Sequence, residues 1–495
     1  MKTLFKTIAL LCVTILFLTS CEEKKKDKQN EDTETSSSNA NAQTTYDLAE
    51  VNTKPTPCEC DSSWFPHANT QAPAEGADSP FAASETTNCI FHQWSWQKFL
   101  WLTVPASASD TTPLFLRDSS INQVDPFMNP VTVPSGTKVV LSASEEGQAG
   151  SGGILKSNPN FNTNGKEGTV YYAIFMNSTM YDSAKKYAAE LVSQKLDSAN
   201  SKTFPVGSLE LKTSWISTDV IPEEDLPNYY TTNASLDGTT TEVAMLGMHV
   251  VGVVENHPEF IWATFEHNNL APAFDWSKGT ASADSQMLLF KEGSVSNIDG
   301  IYWDSKTGAP TAASEAYTLF EYGVPRVKGA PTKNFMKTSQ SEPKNFNNIK
   351  EINTCVAGKL DDVWNNYAYD GSIWINTDGL TPEEQVALLK EEGFGLGSAT
   401  PGSVARGSLN SANISMETYT QTFNTSLSSI DASNLANCLS CHNAKSFSGS
   451  QPTSPLYLSH VFNGYLEHQK GTSKDEINQM KMQDFQNTFL KEEKK

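Results

Sequence analysis

MLGMHVVGVVENHPEFIWATFEHNNLAP, Met245 to Pro272, decides the fold of this chain. Two runs rich in Val, Ile, Phe and Trp flank Asn256-His257-Pro258, a turn signal. β-branched and aromatic side chains suit a pleated, half-buried surface, so the stretch predicts an antiparallel hairpin with His257 at its tip. Folding there sets His267 near residue 246, and therefore near His249. Phe260, Trp262 and Phe265 supply an aromatic inner face. The three histidines have two readings. Either they are hydrogen-bonded members of the hairpin core, or His249 and His267, with Glu266 or His257, hold a metal or send a ligand to a neighbouring centre.

Further strands are predicted upstream. GTKVVLSAS (136–144), GTVYYAIFM (168–176) and GSLELKTSWI (207–216) are β-branched or aromatic runs bounded by Gly, Pro, Asn and Ser. One helix interrupts them, STMYDSAKKYAAELVSQ (178–194), with Ser178 as cap and Tyr181, Ala184, Ala188 and Val192 on one face. CIFHQWSWQKFLWLT (89–103) reads as a buried aromatic helix, and His92 within it as a satisfied interior histidine. The chain from 270 to 345 is loop-rich. TPEEQVALLKEEG (381–393) has Thr381 as cap, Pro382 in the first helical turn and Gly393 as stop.

The N-terminus carries an export signal. Lys2 and Lys6 precede an uncharged apolar run, Ile8 to Leu18, too short to span a bilayer. Leu18-Thr19-Ser20-Cys21 resembles the lipobox of bacterial lipoproteins, which implies cleavage after residue 20 and lipid attachment to Cys21. Residues 21–52 are charge-rich and almost free of large apolar groups, the composition of a tether. The chain is thus expected to be lipid-anchored to a bacterial membrane, the outer one favoured, facing the periplasm or the cell surface.

Formal net charge is −21 over 495 residues, and removing the first twenty deepens it to −23. No basic patch points to nucleic acid. From Asp431 onward acids and bases balance at seven each, so the negative charge lies upstream. Eight cysteines are present. Cys12 leaves with the signal and Cys21 takes the lipid. Cys58, Cys60, Cys89 and Cys355 are an even set in an oxidising compartment. A Cys58–Cys60 bridge would close a strained ring, so each is expected to pair with Cys89 or Cys355, the alternative being a metal site on the Cys-x-Cys pair.

The other two, in Cys438-Leu439-Ser440-Cys441-His442, complete a C-x-x-C-H motif, the attachment pattern of haem c. Two thiols add to the haem vinyl groups, and the next imidazole becomes the proximal iron ligand. A thioredoxin-like pair would open the first helix of a βαβ unit, and this motif follows a polar segment near the C-terminus. A zinc knuckle would need further paired ligands nearby. The distal position falls to His460 in preference to Met480, with Met482 also downstream; an open sixth site is the remaining alternative. A helix over 415–423, the motif, a loop and a last helix from about Ser473, with Ile477, Met480 and Phe485 on one face, fit a small haem domain.

WSWQKFLWL, LELKTSW, LGMHVVGVVENHPEFIWATFEH, VWNNYAYDGSIW and ISMETYTQTF ahead of NCLSCH together resemble a family of bacterial exported proteins described only as cytochrome c family. The resemblance covers scattered parts of 90–445. It implies a large β-rich domain, a C-terminal mono-haem domain with attachment at Cys438, Cys441 and His442, and no defined reaction.

The expected class is therefore α+β. A β-rich domain with antiparallel sheets (53–410) precedes an all-α cytochrome c-like haem domain (411–495). The expected function is electron transfer through one covalent haem c to a redox partner protein. The rivals are a haem-dependent oxidoreductase with a site in the large domain, and a haem-based ligand sensor.

Overall fold

A nine-stranded sheet is built around the hairpin. In chain order its strands are β1 (Ile121–Val124), β2 (Val139–Leu141), β3 (Tyr171–Asn177), β4 (Leu209–Ser217), β5 (Thr231–Leu236), β6 (Thr239–Val254), β7 (His257–His267), β8 (Tyr367–Ile375) and β9 (Ala405–Gly407). Across the sheet they run β9-β8-β7-β6-β4-β3-β1. β5 lies beside the first half of β6 and carries β2, the one parallel pairing in the sheet. The fold is α+β with a large antiparallel sheet. This computed structural model describes residues 57–142, 155–196, 201–271, 281–282, 284–290, 292, 295–296, 302–304, 309–311, 342–390, 404–408, 413–417, 438–449 and 451–490. The segments expected to be a signal peptide and a tether, with Cys21 and Gly393, lie outside them. Thr56–Lys495 forms one compact unit. Among the described residues no helix is long and apolar enough to cross a membrane.

The hairpin turn is tighter than expected. Val254 pairs with His257, so Glu255 and Asn256 alone make the turn. Asn256 sits at φ +60, a left-handed conformation that Asn tolerates. His257 therefore opens β7 and is not at the tip.

Alternation along the strands creates two faces. On the first, Met248, Val250, Ile261 and Phe265 meet α1 (Asn88–Thr103) and α3 (Glu342–Ala357) in one core. Phe99 stacks on Phe265 at 4.1 Å and Phe91 on Trp374 at 4.0 Å. Burying each such ring contributes roughly 1.5–3 kcal/mol. His92 is fully buried with Nδ1 at 2.8 Å from the Tyr369 hydroxyl, and burial draws its pKa down to about 3. It is a neutral core histidine. Lys98 reaches the Glu75 carboxylate at 2.7 Å, and Trp94 donates to the same oxygen at 2.9 Å.

On the second face Val251, Val253, Phe260, Ile373 and Ile375 pack under α2 (Ser178–Val192) and the C-terminal segment. That segment contributes Leu439, Leu456, Leu458, Val461, Phe462 and Leu466 to the same cluster. It holds α5 (Cys438–Cys441), α6 (His460–Gln469) and α7 (Lys474–Leu490), while α4 (Pro382–Lys390) lies between β8 and β9 in sequence. The aromatic face expected of the hairpin is split: Phe265 faces α1, whereas Phe260 and Trp262 point to the opposite side. Residues an odd number apart on a strand cannot share a face.

The cap differs from expectation at α2 and agrees at α4. Asn177, not Ser178, caps α2, its side-chain oxygen accepting from Met180 N at 3.0 Å. Thr381 and Glu384 form a reciprocal capping box at α4, as Ser473 and Glu476 do at α7. Cys58 is bonded to Cys89 and Cys60 to Cys355, one of the two pairings left open by the cysteine count.

Candidate functional site

The C-x-x-C-H spacing becomes geometry through one helical turn. α5 spans Cys438–Cys441, and His442 N continues it by donating to Cys438 O at 2.8 Å. Positions i and i+4 of a helix share a face, so Cys438 and His442 lie on one side of this turn. Cys438 is a free thiol, pushed up to about 12 by burial and by the nearby Glu417 charge. The side chain of Cys441 is outside the described residues.

His442 is held in one tautomer. Its Nδ1 lies 2.9 Å from the carbonyl oxygen of Leu458, an atom that only accepts, so Nδ1 carries the proton. Burial draws its pKa down to about 4; the Leu458 bond opposes this, and Lys212 and His249 add to it. A neutral ring protonated at Nδ1 leaves Nε2 as a lone pair, the form that binds a metal. Trp262 packs against the ring at 4.1 Å. His460, the first residue of α6, stacks on it at 3.9 Å with 22° between planes. Met480 packs with Phe127, Phe447 and Ile477, and Phe447 meets His460 edge-on at 5.1 Å. The Met482 side chain is outside the described residues. These donors fit covalent haem c: a thiol at the first attachment position and an oriented imidazole one helical turn on.

Beside the motif, the second sheet face carries polar rows on three adjacent strands. Lys212 of β4 pairs with His249 of β6, which pairs with Thr264 of β7. The next row is Ser214, Gly247 and Glu266. Residues 413–417, Asn-Ile-Ser-Met-Glu, form a turn over them. Asn413 Nδ2 donates to Thr264 Oγ1 at 3.0 Å, and Ile414 N to Glu266 Oε2 at 2.9 Å. The Ser415 and Ser214 hydroxyls lie 2.6 Å apart. Glu417 takes Asn413 N on Oε2 at 2.7 Å and His249 Nε2 on Oε1 at 2.9 Å. The helix expected over 415–423 begins instead with this turn, and 418–423 lie outside the described residues.

Electrostatics divide the two carboxyls. Burial pushes Glu266 up to about 8, Glu417 adding to the rise and the Ile414 amide opposing it. Burial also pushes Glu417 upward, but the His249 charge and hydrogen bond, Lys212 and the Asn413 amide hold it below the ordinary carboxylate range. Near neutral pH the pair is one acid and one carboxylate. Further along β4, Glu210 is pushed up to about 7 by burial, and it accepts from the Ser459 hydroxyl at 2.8 Å.

The three hairpin histidines do not meet. Only His249 faces the motif. His257 is buried on the α1 side, with Nδ1 donating to Glu259 at 2.9 Å between the rings of Phe81 and Phe91. His267 shares that side; it donates from Nε2 to Asn228 O at 3.1 Å, accepts from Asn269 N on Nδ1 at 3.1 Å, and stacks on Tyr229 at 3.7 Å. Both its nitrogens are used, and burial draws it down to about 4. Adjacency in register brought His267 near His249, but strand parity put them on opposite faces. Among the described residues no group of three His, Cys, Asp or Glu is placed to hold a metal ion.

Lys212, Glu417 and the Leu458 carbonyl were not singled out from sequence. The signal for the first was the alternation of Glu210, Lys212 and Ser214 with Leu209, Leu211 and Thr213, which ordinarily marks a solvent face. Set against protein-family models, curated proteins and solved structures, the chain has no match.

Proposed function

We propose that the chain is an exported, lipid-anchored c-type cytochrome that passes electrons to a redox partner protein. The observation that carries this reading is the Nδ1–H of His442 on Leu458 O, next to a C-x-x-C turn. Cys438 and Cys441 would hold haem c by thioether bonds, with His442 as proximal ligand. The bound group supplies reversible one-electron chemistry. The chain's own part is to fix the imidazole, through the Leu458 carbonyl and the face of Trp262. His460 would be the preferred second iron ligand, ahead of Met480, because its ring already lies against that of His442. A signal peptide ending at residue 20 and a lipid on Cys21 complete the reading.

The test is a haem stain on the denatured full chain, made in cells with intact c-type maturation. Colour should stay with the polypeptide and be lost in Cys438→Ser/Cys441→Ser. Extraction of the colour by acidic acetone would overturn the assignment. The polar cluster around His249 and Glu417 favours an oxidoreductase as the second reading. Carbon monoxide binding by the reduced protein would favour that reading or a sensor.

A further inference from the structure

Two residues that touch the His442 ring flank a third that does not. Leu458 offers its carbonyl oxygen to His442 Nδ1 at 2.9 Å, and His460 stacks on the same ring at 3.9 Å. Between them Ser459 joins a 3-10 turn, Pro455–Leu458, to the first turn of α6. A carbonyl at the end of such a turn has no partner within it and is open to an outside donor. The Leu458 oxygen lies in the plane of the Leu458–Ser459 peptide, so whatever fixes Ser459 also aims that oxygen.

Ser459 is tied in two directions. Its hydroxyl oxygen accepts from Phe462 N at 3.1 Å, the cap of α6. Its proton goes to Glu210 Oε2 at 2.8 Å. A capping serine at a surface can give that proton to water, but Ser459 is only 2% exposed, so the acceptor has to come from the protein. Glu210 reaches it from β4 across 249 residues of chain. In the sheet Glu210 is paired with Met176 of β3 on one side and Val251 of β6 on the other. Moving it would disturb two strand ladders, so the acceptor is held firmly.

We propose that Glu210 is a positioning residue for the His442 imidazole: by taking the Ser459 hydroxyl proton it fixes the peptide whose Leu458 oxygen receives Nδ1–H. This rests on the haem reading above, in which the bond to Leu458 orients the ring and makes its Nε2 a stronger donor to iron. The role needs an acceptor oxygen on residue 210 and not a charge.

The experiment is histidine-selective 15N NMR of the reduced, haem-loaded full chain, reading solvent exchange of the His442 Nδ1–H proton. Glu210→Leu should speed that exchange about tenfold, the size of one hydrogen bond. Glu210→Gln, whose amide oxygen still accepts from Ser459, should restore the wild-type rate. The Nε2–H of His267, bonded to Asn228 O on the other side of the sheet, is the internal control and should not change. An unchanged His442 rate in Glu210→Leu, or equal acceleration at His267, overturns the proposal. If Glu210→Leu fails to fold, Ser459→Ala and Ser459→Thr decide: the first should speed exchange at His442 and the second, which keeps the hydroxyl, should not, and equal rates in the two overturn the proposal. A positive haem stain with unchanged exchange removes this role alone; a negative stain removes the haem reading and this role with it.

Discussion

The side-chain amide of Asn413 occupies the space that a Cβ on Gly247 would need, with Nδ2 2.8 Å and Oδ1 3.0 Å from that point. The backbone oxygen of Phe265 is also 3.0 Å away, so the intruding atom could not move inward either. Gly247→Ala should therefore lift the 413–417 turn from the sheet and weaken the bonds to Thr264, Ser214 and Glu266. Overpacking of this kind costs about 1–3 kcal/mol. Urea unfolding measures it, and an unchanged midpoint would show that the turn is not held there.

The Lys98–Glu75 pair is nearly enclosed, with 5% and 14% of the side-chain surfaces exposed. Removing one partner of a buried pair strands the other charge, at about 3–5 kcal/mol. Glu75→Ala should lose about that much. Glu75→Gln should lose less, because its amide oxygen still accepts from Trp94. Equal losses in the two variants would place the stabilisation in the carboxylate charge facing Lys98, not in the Trp94 bond or the packing of the side chain.

Glu266 gives stability a definite pH dependence. Its carboxyl rises from an ordinary 4.5 to about 8 in the fold, chiefly by burial. Between those values the folded chain holds a proton that the unfolded chain has lost. The contribution is complete below the lower value and disappears as pH rises through the upper one. The urea midpoint should thus fall on going from acid to mildly alkaline buffer, and fall less in Glu266→Gln. Matching slopes would mean that Glu266 titrates as an exposed carboxyl.

The sheet strands were legible because periodicity reports burial directly. GTVYYAIFM, GSLELKTSWI and the hairpin all became strands, and the aromatic helix before them spans Asn88–Thr103. The helix Glu342–Ala357 was not singled out; Ile349, Ile352 and Val356 lie on its buried face within an Asn- and Lys-rich run. The motif at Cys438, Cys441 and His442 could be read because spacing alone defines it. Its surroundings could not. Leu458 acts through a backbone atom, which every residue has, and Glu417 reaches His249 across 168 residues of chain. Strand parity was available from the start and separates His249 from His267 without any coordinates.

The Cys60–Cys355 bond joins residues 295 positions apart. A single backbone cut anywhere between them would leave two pieces still covalently linked, migrating as one species until a reductant is added. A nick in that interval would not by itself release the half that carries Cys438–His442 from the half that carries α1.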